Sequence, residues 1–138
     1  MLKVVIDTNV LISAAILNKG NPAYIINLIS KGKVKMYYSS EIIDEYTEVL
    51  ARDKFSFSVT KQKAVIKKIE EVGQLIKPKA SVIPFPDESD RKFYDTAAAV
   101  KAYLITGNTK HYPEEPHIVT PSQFITCFPA GFSISSLI

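Results

Sequence analysis

The stretch Lys3-Val4-Val5-Ile6-Asp7-Thr8-Asn9-Val10-Leu11 decides how this chain is read. Val4-Val5-Ile6 is a short, unbroken apolar run, the pattern of a strand covered on both faces. Asp7 ends it, and Val10 to Leu17 reads as a helix. A strand that hands over to a helix within a few residues is the opening of an α/β fold.

Working outward, the same alternation continues. Asn21-Pro22 looks like a helix start, with Asn as cap and Pro at the first helical position, and Gly32 ends that helix. Val34 to Tyr38 reads as the second strand. Ser39-Ser40 offers caps for a helix to about Arg52. Residues 55–59 read as a connection. Thr60 is placed to cap a lysine-rich helix whose apolar positions are Val65, Ile66, Ile69, Val72 and Ile76. Val82-Ile83 is a strand candidate before the Pro84-Phe85-Pro86 corner. A helix is expected from about Asp90 to Ala102, a buried strand over Tyr103 to Thr106, and another over His117 to Val119. Thr120 and Gln123 occupy capping-box positions of a last helix. The apolar tail over 129–138 reads as an edge strand or a packing surface. The pattern predicts an α/β fold around a mostly parallel sheet.

Length and composition bound the rest. At 138 residues the expectation is one domain over 1–138. With 46% hydrophobic and 22% charged residues, five Gly and eight Pro, disordered, collagen-like and low-complexity classes are excluded. The single cysteine, Cys127, excludes a disulfide framework and a multi-Cys zinc site, and its apolar surroundings fit a core thiol. No apolar run reaches the roughly 18 residues of a membrane span. A cytoplasmic protein with no membrane contact is expected. The net charge of +3 is mild, but it is unevenly spread. Lys61, Lys63, Lys67, Lys68, Lys77 and Lys79 crowd one stretch, and Asp87, Glu88, Asp90 and Asp95 another. Such a separation suits an enzyme that handles a phosphodiester with metal ions, and equally suits two solvated helix faces.

Four positions stand out for chemistry. Asp7 follows the first strand, and open α/β sheets bind ligands at the carboxyl ends of their strands, near the point where strand order reverses. It is equally placed to cap the helix near Val10. On the third helix Ile42, Ile43, Tyr46, Val49 and Leu50 form one apolar arc. Asp44 lies roughly 160° from its centre, with Glu41 and Glu48 nearly as far, whereas Glu45 lies only about 100° away. Glu45 is therefore the acid able to reach over the sheet, or to snorkel at the rim. Asp90 falls on the side of Phe93, Ala97 and Val100 at a helix N-terminus, where it could also cap, while Asp95 falls roughly opposite. Asn108 follows a strand through Gly107, as site residue or as turn former.

Several carboxylates close together repel and raise one another's pKa. A hard divalent cation, Mg²⁺ or Mn²⁺, relieves this with all-oxygen ligands. It would orient a water for in-line attack on a phosphodiester. No Ser/His/Asp triad and no phosphate-cradling glycine loop is evident. His111 and His117 lack metal-type spacing and read as loop residues. Tyr37, Tyr38, Tyr46, Phe55 and Phe57 could stack bases, with core packing the better reading for most of them.

These segments resemble the motifs of PIN-domain ribonucleases. Val4 to Leu11 is similar to the opening motif of that family, and Ser39 to Tyr46 to the second, whose acid falls on Glu45. Asp87 to Ala97 resembles the third, with its acid on Asp90, and Leu104 to Asn108 the last. The continuation Lys110-His111-Tyr112-Pro113 resembles the branch of toxin components from toxin–antitoxin pairs. The resemblance spans roughly residues 2 to 126. It implies a PIN-like three-layer fold and Mg²⁺- or Mn²⁺-dependent cleavage of single-stranded RNA. It also implies a homodimer and a small antitoxin protein as partner. Asp7, Glu45 and Asp90 would hold metal, Asn9 would orient Asp7 or a metal-bound water, and Thr106 would support the site. The chain departs from the family at Asn108, where many members have an acid. An amide supplies no charge, which favours one ion over two. The runner-up is a PIN-like RNA-binding or partner-binding module with little catalysis. An aspartyl-phosphate phosphatase is a third reading, but such enzymes want an acid two residues after the first, where Asn9 stands.

Overall fold

A computed structural model describes residues 1–126 of the chain. The tail and Cys127 lie outside the described residues. Five strands form one all-parallel sheet in the order β3-β2-β1-β4-β5. They are β1 (Lys3–Ile6), β2 (Lys35–Tyr38), β3 (Gly73–Leu75), β4 (Tyr103–Ile105) and β5 (Ile118–Val119). The helices that flank them are α1 (Thr8–Leu17), α2 (Asn21–Ser30), α3 (Ser40–Leu50), α4 (Val59–Val72), α5 (Arg91–Val100) and α6 (Pro121–Thr126).

Val4, Val5 and Ile6 are all 0% exposed. Successive strand residues point to opposite faces, so both faces of β1 are covered. This is the three-layer architecture that the opening stretch predicts. Each of these side chains contributes roughly 1.5–3 kcal/mol by its burial. Leu104 and Ile105 of β4 and Met36 of β2 are buried beside them. Tyr46 of α3 is also fully buried, and its hydroxyl donates to the Ile6 carbonyl at the end of β1. Tyr38 joins the same core, so neither ring is free to stack a base.

Strand order, more than strand count, positions the crevice of this sheet. The chain lays down β1, then β2 and β3 on one side, and returns to add β4 and β5 on the other. The switch between these two directions lies between β1 and β4. Their C-terminal ends therefore open a crevice that no crossover connection fills.

The local readings need four corrections. Val82-Ile83 is not a strand: Val82 is almost fully exposed. The edge strand is Gly73–Leu75, which follows α4 directly and pairs with Met36, Tyr37 and Tyr38. Gly73 permits this abrupt change, because a Cβ there would lie 2.8 Å from the Ile69 carbonyl oxygen and 3.0 Å from the Tyr38 ring. Ser58, not Thr60, caps α4, accepting from the Lys61 amide at 3.0 Å. Gly20, with φ 89°, precedes α2, so Asn21 is its first residue and not its cap. Last, α5 is shorter than expected. A 3-10 turn over Glu88–Asp90 leads into it, and Lys101 in the left-handed conformation ends it.

Candidate active site at the ends of β1 and β4

Asp7 stands at the N-cap position of α1, yet its side chain makes no capping bond. The carboxylate turns instead across the sheet. Its Oδ2 accepts from the Thr106 hydroxyl at 2.7 Å and the Tyr112 hydroxyl at 3.1 Å. Thr106 is fully buried at the end of β4, and its Oγ1 also accepts from the Asn108 amide at 3.1 Å. One hydroxyl thus ties the two strand ends together. Burial pushes the Asp7 carboxyl above its ordinary value, against the pull of these two donors. Burial and the negative charge of Asp7 raise the Tyr112 hydroxyl as well, so it stays a donor.

Asp90 likewise occupies an N-cap position, of α5, without capping it. Its Oδ2 is buried and accepts no hydrogen bond. The His111 ring lies beside it, with Nδ1 3.7 Å away, beyond hydrogen-bond range. Asp90 is pushed up to about 6 by burial first and then by the charges of Asp7 and Asp87, with His111 pulling the other way. The carboxylates of Asp7, Glu45 and Asp90 thus share one electrostatic environment. A buried acceptor left bare, beside other acids, is costly unless a cation answers it.

Glu45 is the one acid of α3 that is half-buried, while Glu41, Asp44 and Glu48 are exposed. The ranking by angle on the helix is the observed one. Its carboxylate is engaged: the Thr8 hydroxyl donates to it, and Lys92 Nζ lies 2.8 Å from Oε1. The side chains of Lys92 and Glu45 are only 12% and 22% exposed, so this pair is largely sheltered from water. Lys92 also donates to the Ser89 carbonyl. Among the described residues no three His, Cys, Asp or Glu side chains stand close enough to hold a metal ion as they are. The Lys92 ammonium occupies one side of Glu45 in its place.

Asn9 is exposed and its Oδ1 accepts from the Gly107 amide at 3.5 Å. It braces the two loops that follow β1 and β4. Asn108 approaches His111, with Nδ2 to Nε2 at 2.9 Å. If the amide donates, Nε2 is the acceptor and Nδ1 carries the ring proton toward Asp90. His111 therefore faces the acids, against the sequence reading of a loop residue. His117 lies 3.7 Å from Glu115, away from them.

Sequence reasoning missed Thr8, Lys92, His111 and Tyr112. Tyr112 and Asp7 are 105 residues apart, and helical periodicity says which face a residue takes, not what stands opposite. Asp95 is a further correction. It is buried, not solvated, and accepts from the Ser81 amide at 3.1 Å, because the segment before α5 folds over the side opposite Phe93.

A parallel sheet with this strand order, carrying oxygen-rich side chains at its switch point, defines an α/β fold with a candidate ligand site at the carboxyl ends of its strands. The family model of the PIN domain matches residues 3–110, and the chain belongs to the PIN domain family. PIN domains are generally metal-dependent nucleases. The chain is 34% identical over 110 residues to an uncharacterised protein of Methanocaldococcus jannaschii, covering 78% of this chain and 71% of that protein. Among solved structures it is similar to a chain of VapBC2 from Rickettsia felis, bound to a DNA fragment from their promoter. That match has a TM-score of 0.58 at 17% identity, over 86% of this chain and 97% of the other. It is also similar to PAE2754 from Pyrobaculum aerophilum, with a TM-score of 0.57 at 13% identity, over 91% and 88%. At those identities the likeness concerns the fold. No described helix is long and apolar enough to cross a membrane.

Proposed function

We propose that this chain is a metal-dependent endoribonuclease acting on single-stranded RNA, the toxin of a toxin–antitoxin pair. The observation that carries the reading is the buried Asp90 Oδ2, which accepts no hydrogen bond and lies in the field of the Asp7 and Glu45 carboxylates. The donor set fits a hard divalent ion, Mg²⁺ or Mn²⁺, since the three carboxylates offer oxygen ligands. Asp7 and Asp90 would hold it, and Glu45 would join them on giving up its Lys92 contact. When bound, such an ion polarises a water and a phosphodiester oxygen for in-line displacement.

The chain's own residues set the stage for that chemistry. Thr106 and Tyr112 fix Asp7 Oδ2, and the Thr8 backbone amide also donates to this carboxylate. Lys92 offsets one of three negative charges, so that an RNA phosphate can approach. Asn108 holds His111 beside Asp90 and adds no charge of its own. That neutral amide favours a single ion. Asn9 and Thr106 act by bracing the strand ends. A homodimer, a small antitoxin and a cytoplasmic location belong to the same reading. The family and the fold shared with VapBC2 support it.

The test is direct. Purified protein with Mn²⁺ cuts single-stranded RNA, and Asp7→Asn abolishes cutting while circular dichroism stays unchanged. Equal cutting by the variant overturns the proposal. The Lys92–Glu45 pair and Asn108 favour a second reading, a binding module with little catalysis. RNA binding indifferent to divalent ions and to Asp7 would select it.

A further inference from the structure

The crevice does not stop at the acids. A cleft of about 540 Å³ runs from Asp7 and Glu45 along α1 and α3 to the turn after α3. Its far end is of different chemistry. Ile12, Ile16 and Phe55 make an apolar wall, and Arg52 and Lys54 form its lip. Ile16 is 52% exposed, whereas Val10, Leu11 and Ile12 of the same helix are buried. Phe55 is half-buried, held from behind by the small core of Ile12, Val49 and Leu50 and stacked on Phe57 at 5.9 Å and 21°. Lys54 Nζ lies 5.1 Å from the Phe55 ring centroid. Arg52 is held at 3.4 Å by Glu48, which does not line the cleft.

A rigid ring with cations beside it, in a groove that ends at carboxylates, has the layout of a single-strand track: cations follow the backbone and aromatic faces take bases. The acids at one end suit a metal-bridged phosphate. The cations at the other suit a phosphate directly. We infer that the far end of this cleft is a subsite for one nucleotide of single-stranded RNA, its base on Phe55 beside the exposed Ile16, its phosphate at Arg52 and Lys54. Which phosphate is cut rests on the proposed nuclease reading; the subsite itself is tested by binding alone. The exposed contact between Lys54 and the ring is weak and yields to a stacked base, and the freed ammonium then reaches the phosphate.

The experiment uses the full chain in EDTA, where no cleavage occurs, and a fluorescein-labelled single-stranded RNA of mixed sequence. Fluorescence anisotropy gives affinity across a salt series. Phe55→Leu keeps apolar bulk but removes the ring, and is expected to weaken binding about tenfold. Phe55→Tyr is expected to restore it, and Phe55→Leu is expected to melt within a few degrees of the parent, which a purely structural role for the ring does not predict. The double change Arg52→Gln, Lys54→Gln is expected to reduce the slope of log affinity against log salt by about 1. Binding unchanged in all three variants overturns the subsite, as does an absence of RNA binding by the parent protein. Binding that depends on Phe55, together with no cutting under Mg²⁺ or Mn²⁺, supports the subsite and overturns the nuclease reading instead.

Discussion

Two clefts open at the carboxyl ends of this sheet, and they treat charge in opposite ways. Over β2 and β3 lies one of about 530 Å³, lined by Ser39, Lys77, Glu88, Arg91 and Asp95 among others. There every charge on the α5 side has a partner. Arg91 pairs with Glu88 at 2.7 Å, reaches the Ser81 carbonyl at 2.8 Å and lies over the Phe85 ring. Asp95 takes the Ser81 amide. By β1 and α3, Asp7, Glu45 and Asp90 raise one another's charge cost, and Asp90 Oδ2 accepts no hydrogen bond, with only the His111 ring at 3.7 Å. Asp90 and Asp95 are five residues apart around the same helix start. One carboxylate holds a loop in place; the other is kept bare at a cost. Buried polar groups that are satisfied hold structure, and those left unsatisfied mark where a ligand belongs.

The largest expected break in this contrast is Asp7→Asn. Loss of one charged ligand should cut Mn²⁺-dependent RNA cleavage by at least about a hundredfold. The metal-free melting temperature should hold or rise, because a repelling carboxylate is gone while an amide oxygen still accepts from Thr106 and Tyr112. Asp95→Ala should do the reverse. Urea denaturation should show a loss of about 1–3 kcal/mol, since the Ser81 amide is left unpaired, while cleavage per folded molecule persists.

A pH series sharpens the comparison further. Asp90 is raised from 3.8 to about 6 in the folded state. Its folded form binds a proton more readily than the unfolded form, so the metal-free protein gains stability as pH falls from above 6 toward 3.8. The melting temperature should be higher at pH 5 than at pH 7.5. Asp90→Asn should remove much of that difference, with Asp7 accounting for a remainder of the same sign. Added Mn²⁺ should raise the melting temperature more at pH 7.5 than at pH 5, where protons compete for the same oxygens. The smallest effect is expected for Asn108→Asp. A charge restored near His111 should tighten Mn²⁺ a few-fold by calorimetry and slightly lower metal-free stability.

The sequence made the satisfied interior and the positions of the acids legible for one reason: both follow from periodicity. An unbroken Val4-Val5-Ile6 must be covered twice, and Glu45 is the only acid of α3 near its apolar arc. What it hid were meetings between elements. Lys92 meets Glu45 across 47 positions and Tyr112 meets Asp7 across 105, so no window along the chain contains both partners. Asp95 carried a surface residue's signature because the cover over it, the segment near Ser81, has no regular pattern of its own. The edge strand Gly73–Leu75 was invisible for a related reason. It is three residues long, mostly exposed, and held by pairing to Tyr38 and its neighbours rather than by its own composition.

The central place of β1 has a consequence for the order of events in synthesis. Asp7 leaves the ribosome well before the hydroxyls that seat it, Thr106 and Tyr112, which follow 99 and 105 residues later. The strand beside it that completes the crevice is β4. A partly made chain therefore carries a lone, floppy aspartate and no assembled centre. The centre around Asp7 cannot assemble until the chain through Tyr112 has been made.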